Sequence, residues 1–378
     1  LAADMPNVSV HQGHPKDLAF KLLPLIVLNA VLPFLVPARW KEHIRKLRES
    51  DVALLIGGTT FADSMLFKVP WNLLAALPAY WLGRPVIFLS QTVGPTEKWA
   101  NRVMAKWTLK RAVESHGRGR QSEKWLRQLG LDNVTYRPDL SFSMHVPDFD
   151  EVAERTETVN EFRRVLETSD RKLVGVAPNS IVYEKATRAG LDYIAFLNDV
   201  VRTIHEQGHR PVLIPHSYRE NISKLHNNDR SLCLALLERI PEEMQCFYVD
   251  ADLDSRDLRA LVGQLHLLVA SRFHSMISAL SMGVPPITYG WGHHKYIEVL
   301  DEFGCGELYA PYQGLNVQDF AERLKRVDAQ RDEWSQRIRT ALVRIKRDAD
   351  DLPAVIQAAL AHSPAPRAAT AGAQDGGA

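Results

Sequence analysis

Short apolar runs, each ending in a small or polar residue and then giving way to a helical pattern, recur through both halves of this 378-residue chain. DVALLIGGTTF and RPVIFLSQTVGP are two such runs, and WNLLAALPAYWLG reads as a helix between them that closes at Gly83. NRVMAKWTLKRAV follows as a helix with a basic outer face, and SHGRGRQSEKWLRQLG passes from a short strand or turn into a helix ending at Gly130. NVTYRPDLSF adds a short strand with a turn at Pro138 and Asp139. Farther on, KLVGVAPNS, HRPVLIPHS, QLHLLVASRFH and VPPITYGW are strand-like, with LDYIAFLNDVVRTIHEQG and residues 275–283 as helices among them. Strands this short with helical lengths between them line up in parallel, because each crossover helix carries the chain back to the edge where the next strand starts.

The charged stretch PDFDEVAERTETVNEFRRVLETSDRK interrupts the alternation before it restarts. It divides an N-terminal Rossmann-like domain, residues 1–150, from a C-terminal one, residues 151–362. The length suits two domains of ordinary size. Doubly wound parallel sheets with right-handed crossovers predict an α/β fold of two Rossmann-like domains facing a cleft, the GT-B-like arrangement. QDFAERLKRVDAQRDEWSQRIRTALVRIKRDADD reads as one long charged amphipathic helix on the outside. Residues 363–378, small and rich in Pro and Gly, read as a disordered tail.

The 46 basic and 45 acidic residues give a formal charge of +1, which offers no long-range field for nucleic acid, so an anion has to be held by a local cluster. Cys233, Cys246 and Cys305 share no metal-ligand spacing and read as reduced thiols. The run LLPLIVLNAVLPFLVPARW is shorter in its apolar part than the ~20 residues of a membrane span and is interrupted by Pro24, Pro33 and Pro37. It reads as a buried or domain-packing helix, with a segment resting on a membrane surface as the alternative. No basic leader with a small-residue cleavage site frames it. A cytoplasmic protein is expected, at the inner face of the membrane if that run touches lipid. A homo-oligomer is left open.

Ligands of open parallel sheets bind beyond the carboxyl ends of the strands. There the sequence places Asn179 after VGVAP, His216 after VLIP, Arg272 and His274 after LLVAS, and His293, His294 and Lys295 after PPITYGW. In the first half Gly57 and Gly58 follow ALLI, Gln91 follows VIFLS, and Arg118 follows Ser115–His116. Each position has a plain reading as well: His216 as a solvated or capping residue, Gly57 and Gly58 as a tight turn instead of a close approach to a ligand. The glycines make no GxGxxG fingerprint, which argues against a nicotinamide dehydrogenase reading. His293–His294 has no HExxH spacing for a metal. Asp250, Asp252 and Asp254 precede DSRDLRALVGQL and are better explained as capping and turn residues. Arg272 and His274 stand at the positive end of a helix with no acidic residue nearby in sequence, which calls for an anionic ligand.

SRFHSMISALSMGVPPITYGW resembles the signature of the polysaccharide pyruvyl transferase family. LLIGGTTF, SQTVGP, GRGRQS, RPDLSF, LIPHS, the Asn227–Asp229 run and GWGHHKYIEVLDEFG agree in order with it, so the resemblance covers nearly all of residues 51–304. The opening G-N-x-G-D-type loop of that family is absent, and is expected to lie upstream of Leu1.

The resemblance implies transfer of a pyruvyl group from phosphoenolpyruvate (PEP) to sugar hydroxyls of a polysaccharide or its lipid-linked precursor, with release of phosphate. No metal and no organic cofactor is then expected, PEP being a substrate. His274 is the expected general acid and Arg272 the anion-holding catalytic partner. Arg118 and Lys295 would bind PEP, and His216 would assist the acceptor hydroxyl. Asn179, Gln91, Asp139, Asp229 and the Gly57–Gly58 pair would position substrate. Arg118, Arg272 and Lys295 are expected to converge on one PEP molecule in the gap between the halves. The rival readings are a GT-B glycosyltransferase with a nucleotide-sugar donor and a non-catalytic scaffold of glycan biosynthesis.

Overall fold

The computed structural model describes residues 21–217 and 228–361, apart from the side chains of Met65, Leu66 and Lys68. The expected disordered tail and Asn227 lie outside the described residues. The chain divides into two compact units: residues up to Asp139 together with those from Asp351, and Leu140–Asp350. The sequence-derived division at residue 150 falls within a helix of the second unit. Val152, Ala153, Val159 and Phe162 of the charged stretch are buried in that unit's core, with Phe149, Val165 and Leu166 partly buried against it, so the stretch acts as packed structure and not as a linker.

In the first unit, helices α1 (Leu23–Val31) and α2 (Ala38–Glu49) precede β1 (Ala53–Ile56). Helix α3 (Val69–Trp81), β2 (Val86–Gln91), α4 (Trp99–Leu109), β3 (Glu114–Gly117), α5 (Arg120–Gln128) and β4 (Val134–Tyr136) follow. The four strands are parallel in the order β1-β2-β3-β4. A sheet that always steps in one direction, with right-handed crossovers, carries α3, α4 and α5 on one face. Gly83 closes α3 with a φ of 69° and its N–H on the Tyr80 carbonyl, the left-handed cap that the sequence predicts. Leu22, Ile26, Val36, Trp40 and Ile44 form a small apolar cluster of their own, while Val27, Val31, Phe34 and Leu35 remain exposed. The apolar run is therefore packed on one side only.

The second unit opens with α6 (Phe149–Arg155) and α7 (Glu157–Thr168), then β5 (Leu173–Ala177), α8 (Ser180–Arg188), α9 (Tyr193–Glu206) and β6 (Arg210–Leu213). Next come α10 (Arg230–Leu237), β7 (Phe247–Tyr248), α11 (Ser255–Val262), β8 (Leu267–Ala270), α12 (Phe273–Ser281), β9 (Pro286–Gly290), α13 (Lys295–Glu302) and β10 (Tyr309–Pro311). The parallel order β10-β9-β8-β5-β6-β7 starts in the middle, runs to one edge and then reverses. This is the doubly wound pattern, with a switch point between β5 and β8. Strands β5, β8 and β9 are buried along their whole length, as near-continuous apolar runs between two helical layers should be.

The expected single charged helix is two: α14 (Val317–Ala329) and α15 (Arg331–Asp350), separated by Gln330 at φ −112°. Phe320, Leu324, Val327, Trp334 and Ile338 keep a helical spacing across the break, so the apolar pattern carries no trace of it. The last helix, α16 (Leu352–Ala361), returns to the first unit, where Val355, Ala358 and Ala359 line a pocket with Val113 and Val134.

Candidate active site

The carboxyl edge of the second sheet holds the denser cluster. Asp229 is its hub. Its buried carboxylate accepts from the backbone N–H of Ser180 at 2.9 Å and of Ser217 at 3.0 Å. Arg272 grips the same carboxylate in a fork, Nη2 at 2.7 Å from Oδ1 and Nε on Oδ2. Arg272 Nη2 also donates to Ser180 Oγ at 3.0 Å. Burial raises the Asp229 carboxyl above the usual range, opposed by Arg272 and the two amides.

The switch point is clasped by Asn179. Its Oδ1 caps α8 by accepting from the Ile181 N–H, and its Nδ2 donates to the Ser271 carbonyl beyond β8, both at 2.9 Å. Arg272 occupies the N-cap position of α12, and His274 is the second helical residue and is exposed. The His274 ring stands edge-on to Phe273, with centroids 5.3 Å apart, and the Lys295 ammonium lies 4.6 Å from the same Phe273 ring. Lys295 is also 5.4 Å from the Trp291 ring, and Lys185 of α8 is 5.2 Å from it. Phe273 thus contacts both the imidazole and the Lys295 ammonium, and Trp291 contacts both ammonium groups.

His216 lies half-buried after β6. Ser278 Oγ donates to the His274 carbonyl at 2.8 Å, so it accepts from His216 Nε2–H at 3.2 Å. Burial, joined by the nearby His274 and Arg272, pushes the imidazole down to about 3. His216 is therefore a neutral hydrogen-bonding group at ordinary pH.

The carboxyl edge of the first sheet is built differently. Arg118 and Asp139 are both buried and paired at 2.9 Å, and Arg118 Nε donates to Thr92 Oγ1 at 2.8 Å. Ser90 takes a φ of 51°, and the β2–β3 register shifts there so that Gln91 faces Gly117. The buried Gln91 amide donates to the carbonyls of Leu55 at 3.0 Å and Leu89 at 2.9 Å. A Cβ on Gly57 would lie 2.7 Å from both Gln91 Nε2 and Thr60 Cγ2, whereas one on Gly58 would meet nothing within 4 Å.

A model of the family described as polysaccharide pyruvyl transferase matches residues 14–294. The chain belongs to the polysaccharide pyruvyl transferase family. This pyruvyl transferase family member is 22% identical over 292 residues to the amylovoran biosynthesis protein AmsJ of Erwinia amylovora. That match covers 74% of this chain and 66% of AmsJ, so the chain spans just under two thirds of the relative's length. Among solved structures, UDP-GlcNAc 2-epimerase from Neisseria meningitidis bound to UDP-GlcNAc shares its fold at TM-score 0.56 and 12% identity, over 93% of this chain and 84% of that one. Sucrose-phosphate synthase from Thermosynechococcus elongatus does so at TM-score 0.52 and 14% identity, over 89% and 80%. These are GT-B enzymes, in agreement with the α/β class of two parallel-sheet domains.

Several expectations change with the geometry. Arg272 does have an acidic partner, Asp229, which lies 43 positions earlier in the chain and so escapes a search of its sequence neighbours. Arg118 likewise has one in Asp139. Gly57 makes room for Gln91, so the close approach there is to the protein's own amide. The Asn179 side chain ties backbone to backbone. Asp254 accepts from the Arg256 and Asp257 N–H groups, the cap that the sequence predicts. Among the described residues no three His, Cys, Asp or Glu side chains converge as a metal site. Sequence reasoning missed Phe273, Trp291 and Lys185. Trp291 carried a signal, an aromatic at the end of β9 in line with His293 and Lys295; Lys185, in the second turn of α8, carried none.

Proposed function

We propose that the chain is a pyruvyl transferase that moves the pyruvyl group of PEP to sugar hydroxyls of a polysaccharide or its lipid-linked precursor, releasing phosphate. The observation that carries this reading is the Arg272–Phe273–His274 segment at the switch point, with Lys295 stacked on Phe273. Asp229 largely offsets the charge of Arg272 and fixes its plane, and Lys295, Lys185 and the N-terminus of α12 add positive potential for phosphate and carboxylate. His274 protonates the methylene carbon of PEP, and a sugar oxygen bonds to C2 as its own proton leaves. The C2–O bond to phosphate breaks, and a second hydroxyl oxygen takes that place to close a cyclic ketal, the two hydroxyl protons going one to the imidazole and one to the departing phosphate. Every atom of PEP and diol is accounted for as ketal plus phosphate. No step calls for a metal or an organic cofactor.

Two measurements test the reading. PEP should raise the melting temperature at millimolar concentration, while UDP-GlcNAc should not. His274→Gln should lower acceptor-dependent phosphate release from PEP by about 10²–10⁴-fold, measured with methyl hexopyranosides, while leaving the melting temperature unchanged. Stabilisation by UDP-GlcNAc alone would favour a nucleotide-sugar glycosyltransferase, and equal release by wild type and variant would remove His274 from the chemistry.

A further inference from the structure

Among the described residues every exposed large apolar side chain except Val343 belongs to the first unit, and helix α4 carries the most ordered group of them. Trp99 is 78% exposed, Val103 47% and Trp107 39%. Spaced four apart, they form one stripe along the helix. Arg102, Lys106 and Lys110, also four apart and all exposed, form the stripe beside it. Lys98 and Arg111 extend the basic group at the two ends, and no acidic residue occurs from Lys98 to Val113. Arg111 lies over the Trp107 ring at 3.7 Å and donates to the Trp107 carbonyl at 2.8 Å. The opposite side of α4 is fixed in the core through Ala105, Thr108 and Leu109, and Tyr80 of α3 donates to the Thr108 carbonyl at 2.7 Å. The stripes are thus held outward by a rigid helix.

We propose that this face of α4 is a docking surface for an anionic lipid bilayer. A tryptophan stripe set against a lysine–arginine stripe suits the headgroup boundary: indole rings prefer its mixed polarity, while the long basic side chains lay their stems on the apolar stripe and reach phosphate. The chain's balanced total charge makes this local concentration of five cations the attractive element, and a nearly uncharged protein otherwise has no reason to favour anionic lipid. The proposal stands apart from the donor chemistry and from the apolar run of residues 22–40.

The test uses the full chain with vesicles of phosphatidylglycerol and phosphatidylcholine, and with phosphatidylcholine alone. The chain should sediment with the mixed vesicles and bind about tenfold more weakly at high salt. Brominated lipid should quench part of the emission of its 8 tryptophans, and Trp99→Phe/Trp107→Phe should remove that part. Lys106→Glu/Lys110→Glu should weaken binding about tenfold or more, and Lys106→Arg/Lys110→Arg should preserve it. The altered side chains are exposed, so melting temperatures should not move. Equal binding to phosphatidylcholine alone, no quenching of the wild type, or binding abolished by Phe34→Ser/Leu35→Ser but not by the charge reversal would each overturn the proposal. So would capture by soluble heparin with no lipid quenching, which would point to a polyanionic macromolecule instead.

Discussion

The two sheets carry the same device, an arginine paired with a buried aspartate at the carboxyl edge, but among the described residues only one sheet reverses direction beside it. In the second unit Arg272 and Asp229 sit where the strand order turns back at β5 and β8, and the helices that leave these strands depart to opposite faces. His274 stands exposed there. In the first unit the described strands step from β1 to β4 without a reversal, and Arg118, Asp139, Thr92 and Gln91 fill the edge with their own hydrogen bonds. Residue type alone therefore does not distinguish the two pairs, whereas their place in the strand order does.

The strongest way to break this comparison is to remove the aspartates. Asp229→Ala leaves Arg272 without its carboxylate and the Ser180 and Ser217 amides without their acceptor, so it should cost about 3–5 kcal/mol in urea unfolding. Arg272→Lys keeps the charge but loses the fork, and should lower phosphate release from PEP about 100-fold or more with a smaller stability cost. Asp139→Ala should lose stability too, while leaving the stabilisation by PEP closer to wild type. An equal loss of PEP response in the two aspartate variants would put both edges on the same functional footing.

Acid sharpens the contrast next. His216 is held neutral in the folded chain, down to about 3, whereas the unfolded imidazole takes its proton near 6.5. Between these values the unfolded chain binds more protons, so stability falls as pH drops below about 6.5, and above that the residue contributes nothing to the pH dependence. At pH 5 the deficit should be about 1–2 kcal/mol. His209 and His266 are lowered by burial as well, so the wild-type slope contains their share. The difference between wild type and His216→Gln in urea titrations at pH 7 and pH 5 isolates His216. A variant whose acid sensitivity matches wild type would mean that the imidazole is protonated in place.

Strand ends were legible because an apolar run must stop where its backbone meets water or a ligand, and Asn179, His216, Arg272 and Lys295 all fall at such stops. Caps were legible for the same local reason, as Gly83 and Asp254 show. Partners across the fold were not. Nothing in sequence spacing joins Asp229 to Arg272, and the direction of strand order leaves no mark on the alternation that predicted parallel sheets. The break at Gln330 is hidden because the apolar spacing runs through it, and the sequence of α4 shows only a basic helix because the exposure of Trp99 and Trp107 depends on what packs beside them.

The smallest expected effect bears on the first edge, through its adjacent glycines. Gly57→Ala places a methyl group against the Gln91 amide, whose two donated hydrogen bonds to Leu55 and Leu89 resist displacement, so it should cost about 1–3 kcal/mol. Gly58→Ala meets open space and should be near neutral for stability. Gln91→Ala removes one of the two obstacles and leaves the Thr60 methyl, so adding Gly57→Ala in that background should cost less than in the wild type; a coupling of this kind is what a double-mutant cycle measures. If the cost of Gly57→Ala is unchanged by the loss of Gln91, the glycine serves something other than that amide. If Gly58→Ala abolishes the PEP response while stability holds, the first edge contributes to the site after all, through backbone instead of its buried charges.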